Sequence, residues 1–236
     1  MKFTMTRRTL LKGALMSPAV SLPIVFSQNG SSKTPTNNPD VHHYFTAAEF
    51  DFIDAAVERL IPADSLGPGA KEAGVASFID RQLSGSYGRA ETWYMRGPWE
   101  KGTKEQGYQL RLNPAQLYRA AIRDIDAYCQ HTYGNKNFAQ LDAGTRDQVL
   151  TGLEKDEIKL ANVPAKQFFE MLVQNTTEGF LADPMYGGNR DFIGWKLIGF
   201  PGPRYNYAKE IEQYGKRYAM PTVGILGRDG KAVAKA

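Results

Sequence analysis

FTAAEFDFIDAAVERLIP, Phe45 to Pro62, carries a complete helix-start signature and a clear stop. Thr46 is placed as the N-cap and Glu49 as the acid that bonds back to it. Phe45 and Phe50 stand at the two positions of a hydrophobic staple. Phe50, Ile53, Val57 and Leu60 follow at helical spacing, and Pro62 ends the run because it has no N–H to donate. Asp51, Asp54 and Glu58 share the opposite side, as a solvated face does. The stretch is read as an amphipathic helix, and its pattern sets the fold class.

The rest of the chain repeats that pattern. A second helix is expected from Gly74 to Leu83, with Val75, Phe78, Ile79 and Leu83 inward, after the turn IPADSLGPGAKEAG. Asn113-Pro114 is an N-cap followed by proline at the first helical position. Leu117, Ala121, Ile125, Tyr128 and Thr132 continue one face until Gly134. Asp142 caps a helix containing Val149, Leu150 and Leu153. Pro164 opens the last long one, with Phe168, Phe169, Leu172 and Phe180. Residues 85–112, rich in glycine and aromatics, carry no periodic signal. Alternation is scarce, and Thr222-Val223-Gly224-Ile225-Leu226 is the best candidate for a short C-terminal strand. The expected fold is mainly α: an irregular helical domain over 44–226 with long Gly/Pro/aromatic loops, and a fraying tail at 227–236.

A different logic governs the first 43 residues. Lys2, Arg7, Arg8 and Lys12 form a basic head with no acid before Asp40, and a weakly apolar run follows from Gly13 to Phe26. Charged head, short apolar run and polar exit are the order of a secretory signal. Thr6-Arg7-Arg8-Thr9-Leu10-Leu11-Lys12 is similar to a twin-arginine export signal. Ser17, Pro18, Ser21 and Pro23 interrupt the apolar run, which falls short of the roughly 20 residues of a spanning helix. Residues 1–27 are read as the signal, with Val25-Phe26-Ser27 at the cut, and 28–43 as a flexible tether. The chain is therefore expected in the periplasm. Those four basic residues account for the whole formal charge of +4, so the remainder is formally neutral and a poor match for nucleic acid.

Chemistry has few footholds. The histidines are His42, His43 and His131, and neither a metal-ligand spacing nor a Cys-x-x-Cys-His haem motif is present. A dinucleotide loop, a Walker loop and a nucleophile elbow are likewise missing. Gly187-Gly188-Asn189 has neither a strand before it nor a helix evident after it. Cys129 is the only cysteine, beside Tyr128 near a helix's apolar face, and reads as packing. No catalytic, cofactor-binding or metal-binding residue is assigned.

Two irregular stretches are rich in anchors: Glu58 to Leu83, and DPMYGGNRDFIGWKLIGFPGPRY from Asp183 to Tyr205. The second interleaves five glycines and three prolines with Tyr186, Phe192, Trp195, Phe200 and Tyr205. Such a loop folds against something, either its own helices or a partner. Those five aromatics are expected at a partner interface. The chain resembles the gluconate 2-dehydrogenase subunit 3 family at Phe45-Thr46 with Glu49, Arg59 to Asp64, Pro68-Gly69-Ala70 and Phe78-Ile79-Asp80. It does so again at Asp183-Pro184-x-Tyr186-Gly187-Gly188-Asn189, Gly194-Trp195-Lys196 and Gly199-Phe200-Pro201-Gly202. The resemblance implies the small subunit of a membrane-associated dehydrogenase of sugars or sugar acids. Its large partner subunit would bind FAD, and a cytochrome c subunit with haem c would pass electrons to quinone. The small subunit would bring the export signal, through Arg7 and Arg8 and the twin-arginine translocase, and stabilise the large one. Some relatives have paired cysteines, which this chain lacks. Two other readings are a free-standing periplasmic enzyme, using the acidic helix face or the second loop, and a general helical binding module.

Overall fold

The computed structural model describes residues 42–100, 102–216, 218 and 220–227. The signal, most of the tether and nearly all of the tail lie outside that range. Among the described residues there are six α-helices: α1 Ala47–Leu60, α2 Val75–Ser84, α3 Pro114–Thr132, α4 Ala143–Glu154, α5 Ala165–Leu181 and α6 Ile193–Ile198. Four single-turn 3-10 segments lie between or beside them, and α5 packs against all five other helices. The fold is mainly α, as the helical periodicity implies.

Local chemistry sets the helix starts. Thr46 accepts from the Glu49 N–H at 3.3 Å while Glu49 accepts from the Thr46 N–H at 2.8 Å, closing the capping box. Asn113 and Gln116 exchange the same pair of bonds ahead of Pro114, and Asp142 accepts from the Thr145 N–H at 3.0 Å. Each such cap satisfies N–H groups that the first helical turn cannot pair internally.

The buried faces differ in detail from the periodic reading. On α1 the centre is Phe52, Ile53, Ala56 and Val57, while Phe50 and Leu60 are half-buried at its edges. The sequence spacing leaves Phe52 off the inward face. It is buried because α1 is covered on a second side, where Phe138 from the α3–α4 connection packs on it at 4.6 Å between ring centroids. On α3 the inward run ends at fully buried Cys129, with Tyr128 half-buried and Thr132 exposed. A polar hub sits in this core. Asn175 Oδ1 accepts from Tyr118 at 2.8 Å and from Tyr87 at 3.1 Å, and its amide donates to Glu178. Residues 85–112 are irregular apart from a turn at Lys104–Gln106, held by edge-on packing of Tyr87, Trp93 and Tyr108.

The expected strand at Thr222–Leu226 does not form. Gly224 and Gly227 bond to each other across a tight turn, an isolated bridge with no neighbouring strand among the described residues. Alternation over five residues cannot supply the partner a strand needs for its backbone groups.

Asp80 fixes how the chain reaches α1. Buried on α2, its carboxylate accepts the backbone N–H of His43 at 2.6 Å, Tyr44 at 2.9 Å and Phe45 at 2.8 Å. Asp80→Ala would leave buried N–H groups without an acceptor, and we expect a loss of roughly 2–4 kcal/mol in urea unfolding. A loss below about 1 kcal/mol would show that water replaces the carboxylate.

Candidate functional site

The second irregular stretch begins where α5 ends. Ala182 leaves the helix in an extended conformation, without the left-handed glycine that commonly closes a helix end. The last carbonyls of α5 therefore need partners from elsewhere. Trp195 Nε1 donates to the Leu181 carbonyl at 2.7 Å, and Asn189 Nδ2 donates to the Ala182 carbonyl at 2.8 Å. Asn189 is fully buried and its Oδ1 accepts the Gly194 N–H at 2.8 Å, so one side chain joins the helix end to the start of α6.

This closure requires backbone contact. A methyl group at Gly188 would run into the Gly179 carbonyl, and one at Gly194 into the Phe180 carbonyl. Between them Asn189, Asp191 and Phe192 all have positive φ, at 45°, 53° and 59°. That conformation costs about 1–2 kcal/mol for a side chain such as Phe192. It is held because Phe192 is buried and stacked on Trp195, 5.5 Å between centroids. The Arg190 N–H donates to the Ala73 carbonyl at 2.9 Å, tying this loop to the first irregular stretch. Asp183 accepts the Met185 N–H, and the Ile225 N–H at 2.7 Å, so the C-terminal turn is pinned to the loop as well.

The structure divides the five aromatics expected at an interface. Phe192 and Trp195 are buried in the chain's own loop, where they support it from beneath. Tyr186 and Phe200 are 47% and 39% exposed, and Tyr205 is fully exposed. Leu197 and Ile198, not singled out by the sequence pattern, are exposed too, at 45% and 61%. The signal was present for Leu197: on a short helix that turns Trp195 inward, the residue two positions later faces away. Ile198 shares the side of Trp195 by helical spacing and is exposed at the last position of α6, where Gly199 ends the helix. Arg7 and Arg8 lie outside the described residues.

Two of the three carboxylates on the acidic face of α1 are engaged in ion pairs, and Asp51 is exposed with none among the described residues. Asp54 meets Lys71 at 3.2 Å, and Glu58 meets Arg146 at 3.2 Å. Arg59 holds Asp147 with two bonds at 2.7 and 2.8 Å, which places the Asp147 carboxyl below its ordinary range. These pairs tie α1 to α4 and to the turn before α2. Each contributes up to about 1 kcal/mol at such exposure. Asp64 accepts the Leu66 N–H within a turn. His42 packs edge-on against Phe50, and His131 is exposed. Among the described residues, no group of three or more His, Cys, Asp or Glu side chains is placed to hold a metal ion. Burial, with Asp126 nearby, pushes the Cys129 thiol up to about 12.

The model of the gluconate 2-dehydrogenase subunit 3 family matches residues 47–202. The chain belongs to the gluconate 2-dehydrogenase subunit 3 family. Comparison with curated proteins and with solved structures finds no match. In this subunit 3 chain the matched span runs from the first residue of α1 to Gly202. At Gly202 a methyl group would run into the Val223 carbonyl of the C-terminal turn. The match thus covers both irregular stretches but for the last three residues of the second, and every helix from α1 to α6. No helix among the described residues is long and apolar enough to cross a membrane.

Trp195→Ala should destabilise this subunit 3 chain by about 3–5 kcal/mol. Trp195→Phe, which keeps a ring but strands the Leu181 carbonyl, should lose about 1–3 kcal/mol. Chemical denaturation of both variants tests this; an unchanged midpoint for Trp195→Ala would mean that the loop does not close α5. Cys129 should resist alkylation in the native protein and react once denaturant is added. Its folded pKa lies above the ordinary 9.0, so the unfolded chain gives up the proton first and stability falls as pH climbs past about 9. Rapid native labelling at about pH 8, below the ordinary thiol range, contradicts this.

Proposed function

We propose that the chain is the non-catalytic small subunit of an exported, FAD-dependent dehydrogenase of a sugar or sugar acid. In this reading it supplies the twin-arginine signal through Arg7 and Arg8 and holds the large flavoprotein subunit during and after export. FAD belongs to that large subunit, and haem c to a cytochrome subunit where the complex has one. The complex works in the periplasm, attached to the membrane through its other parts.

The observation that carries this reading is the family match over residues 47–202, which takes in the α5-closing loop through Gly202. Two features support it. The loop is rigidly fastened below, by Asn189 and Trp195, yet presents Tyr186, Leu197, Ile198, Phe200 and Tyr205 to solvent. Large exposed apolar side chains grouped together mark surfaces that meet a protein, a membrane or a ligand. The acidic face, the alternative location for acid–base chemistry, has Asp54 and Glu58 occupied by cations.

Replacing Arg7 and Arg8 together by Lys tests the escort role, because a complex that folds before crossing depends on the signal of one member. Both this chain and its flavoprotein should remain in the cytoplasm on fractionation, and dye-linked dehydrogenase activity should vanish from the periplasm and membrane. A periplasmic flavoprotein at normal levels in the double variant would exclude the escort role. Dehydrogenase activity in the isolated chain would favour a free-standing enzyme instead.

A further inference from the structure

Most arginines on the first four helices have a carboxylate in reach. On α1 to α4, Arg59 pairs with Asp147, Arg119 with Glu49, Arg123 with Asp124 and Arg146 with Glu58. Arg81 on α2 is the exception among the described residues of those helices. Arg190, in the α5-closing loop, has no carboxylate within 4 Å among the described residues either. The two meet the same piece of backbone. A methyl group at Gly74 would lie 3.0 Å from Arg190 Nη2 and 3.3 Å from the Gly187 carbonyl. One at Gly187 would lie 3.0 Å from Arg81 Cδ and 3.1 Å from its Nε. Gly74 and Gly187, both with positive φ, let the guanidinium groups lie against the main chain. Arg81 is half-buried there, Arg190 is exposed, and exposed Tyr186 adjoins Gly187.

We propose that Arg81 and Arg190 form a two-guanidinium clamp for side-chain carboxylates on an acidic segment of the partner subunit, with Tyr186 packing beside it. This rests on the small-subunit reading above. The half-buried Arg81 guanidinium, laid against backbone, has given up part of its hydration, exposed Arg190 stands beside the same backbone, and neither has an internal carboxylate among the described residues. A planar fork binds carboxylate with two parallel charge-assisted hydrogen bonds, which lysine cannot reproduce. A polypeptide fits better than a free anion because the clamp is continuous with an exposed tyrosine, a residue type enriched at interface centres. Charge-pairing of this kind sets orientation and register between two subunits more than it adds bulk affinity.

The test uses the tagged full chain purified from its own membranes with its flavoprotein. Arg81→Gln with Arg190→Gln should lower recovery of the flavoprotein about tenfold at roughly physiological salt, while the melting curve of the small subunit stays in place. Arg81→Lys with Arg190→Lys keeps the charge. Treated with a carbodiimide, that variant should give zero-length cross-links from the introduced amines to Asp or Glu of the flavoprotein. Full recovery with the Gln variant, or cross-links that map only to this chain, overturns the clamp and leaves the subunit reading standing. A Gln variant that loses only phosphate-dependent stabilisation, with the complex intact, overturns it in favour of a free-anion site. Should the Gln variant itself melt early, the cross-link map of the Lys variant decides. If the unmodified chain recovers no flavoprotein at all, both readings fail together.

Discussion

The carbonyl end of α5 is the constraint on which the rest of this structure depends. α5 touches every other helix, so the place where it stops fixes the place where the second irregular stretch begins. No left-handed glycine closes it; the Trp195 indole and the Asn189 amide do so from several residues downstream. That solution draws the loop onto the helix until only Gly fits at 188 and 194, and it holds three non-glycine residues at positive φ. Strain of that kind persists only where surrounding contacts over-determine it. Here the contacts are the buried Phe192–Trp195 stack and the fully buried Asn189.

From that closure the remaining ties follow in order. Arg190 reaches back by its N–H to Ala73, just ahead of α2, and Asp80 on α2 gathers the three N–H groups before α1. Asp183 gathers the C-terminal turn. The two irregular stretches are thus one connected unit fastened through main-chain hydrogen bonds. A unit so fastened can present apolar side chains to solvent without collapsing onto them. This is the property expected of a docking surface whose partner is another protein.

Many polar groups of the helices are spent on architecture. Asp54, Glu58 and Asp147 join helices through Lys71, Arg146 and Arg59. Asp124 accepts the backbone and side chain of Asn162, and Asp126 accepts the Phe138 N–H. Tyr118 is buried against Asn175, and burial holds its hydroxyl well above the ordinary phenol range.

The sequence by itself determined five of the six helices among the described residues, and the capped starts of three, because capping is local: Thr46 with Glu49, Asn113 with Gln116, and Asp142 with Thr145 each act within one helical turn. The short helix α6, which the sequence does not show after Gly187-Gly188-Asn189, starts without a side-chain cap and depends on the tertiary contacts of its loop. It also marked the Asp183–Tyr205 loop as unusual, since glycine, proline and aromatic content is visible without a fold. Only the tertiary structure decided which of that loop's aromatics face inward. Phe192 and Trp195 go in and Tyr186, Phe200 and Tyr205 stay out because the α5 carbonyls, supplied from earlier in the chain, need an N–H at the position Trp195 can reach. Phe52 escapes the periodic reading for the same kind of reason: its cover, Phe138, comes from a turn beyond α3, outside any helical period. The five residues at Thr222–Leu226 alternate as a strand does, yet a strand is a pairing between segments, and here the pairing partner is Gly227 in the same turn.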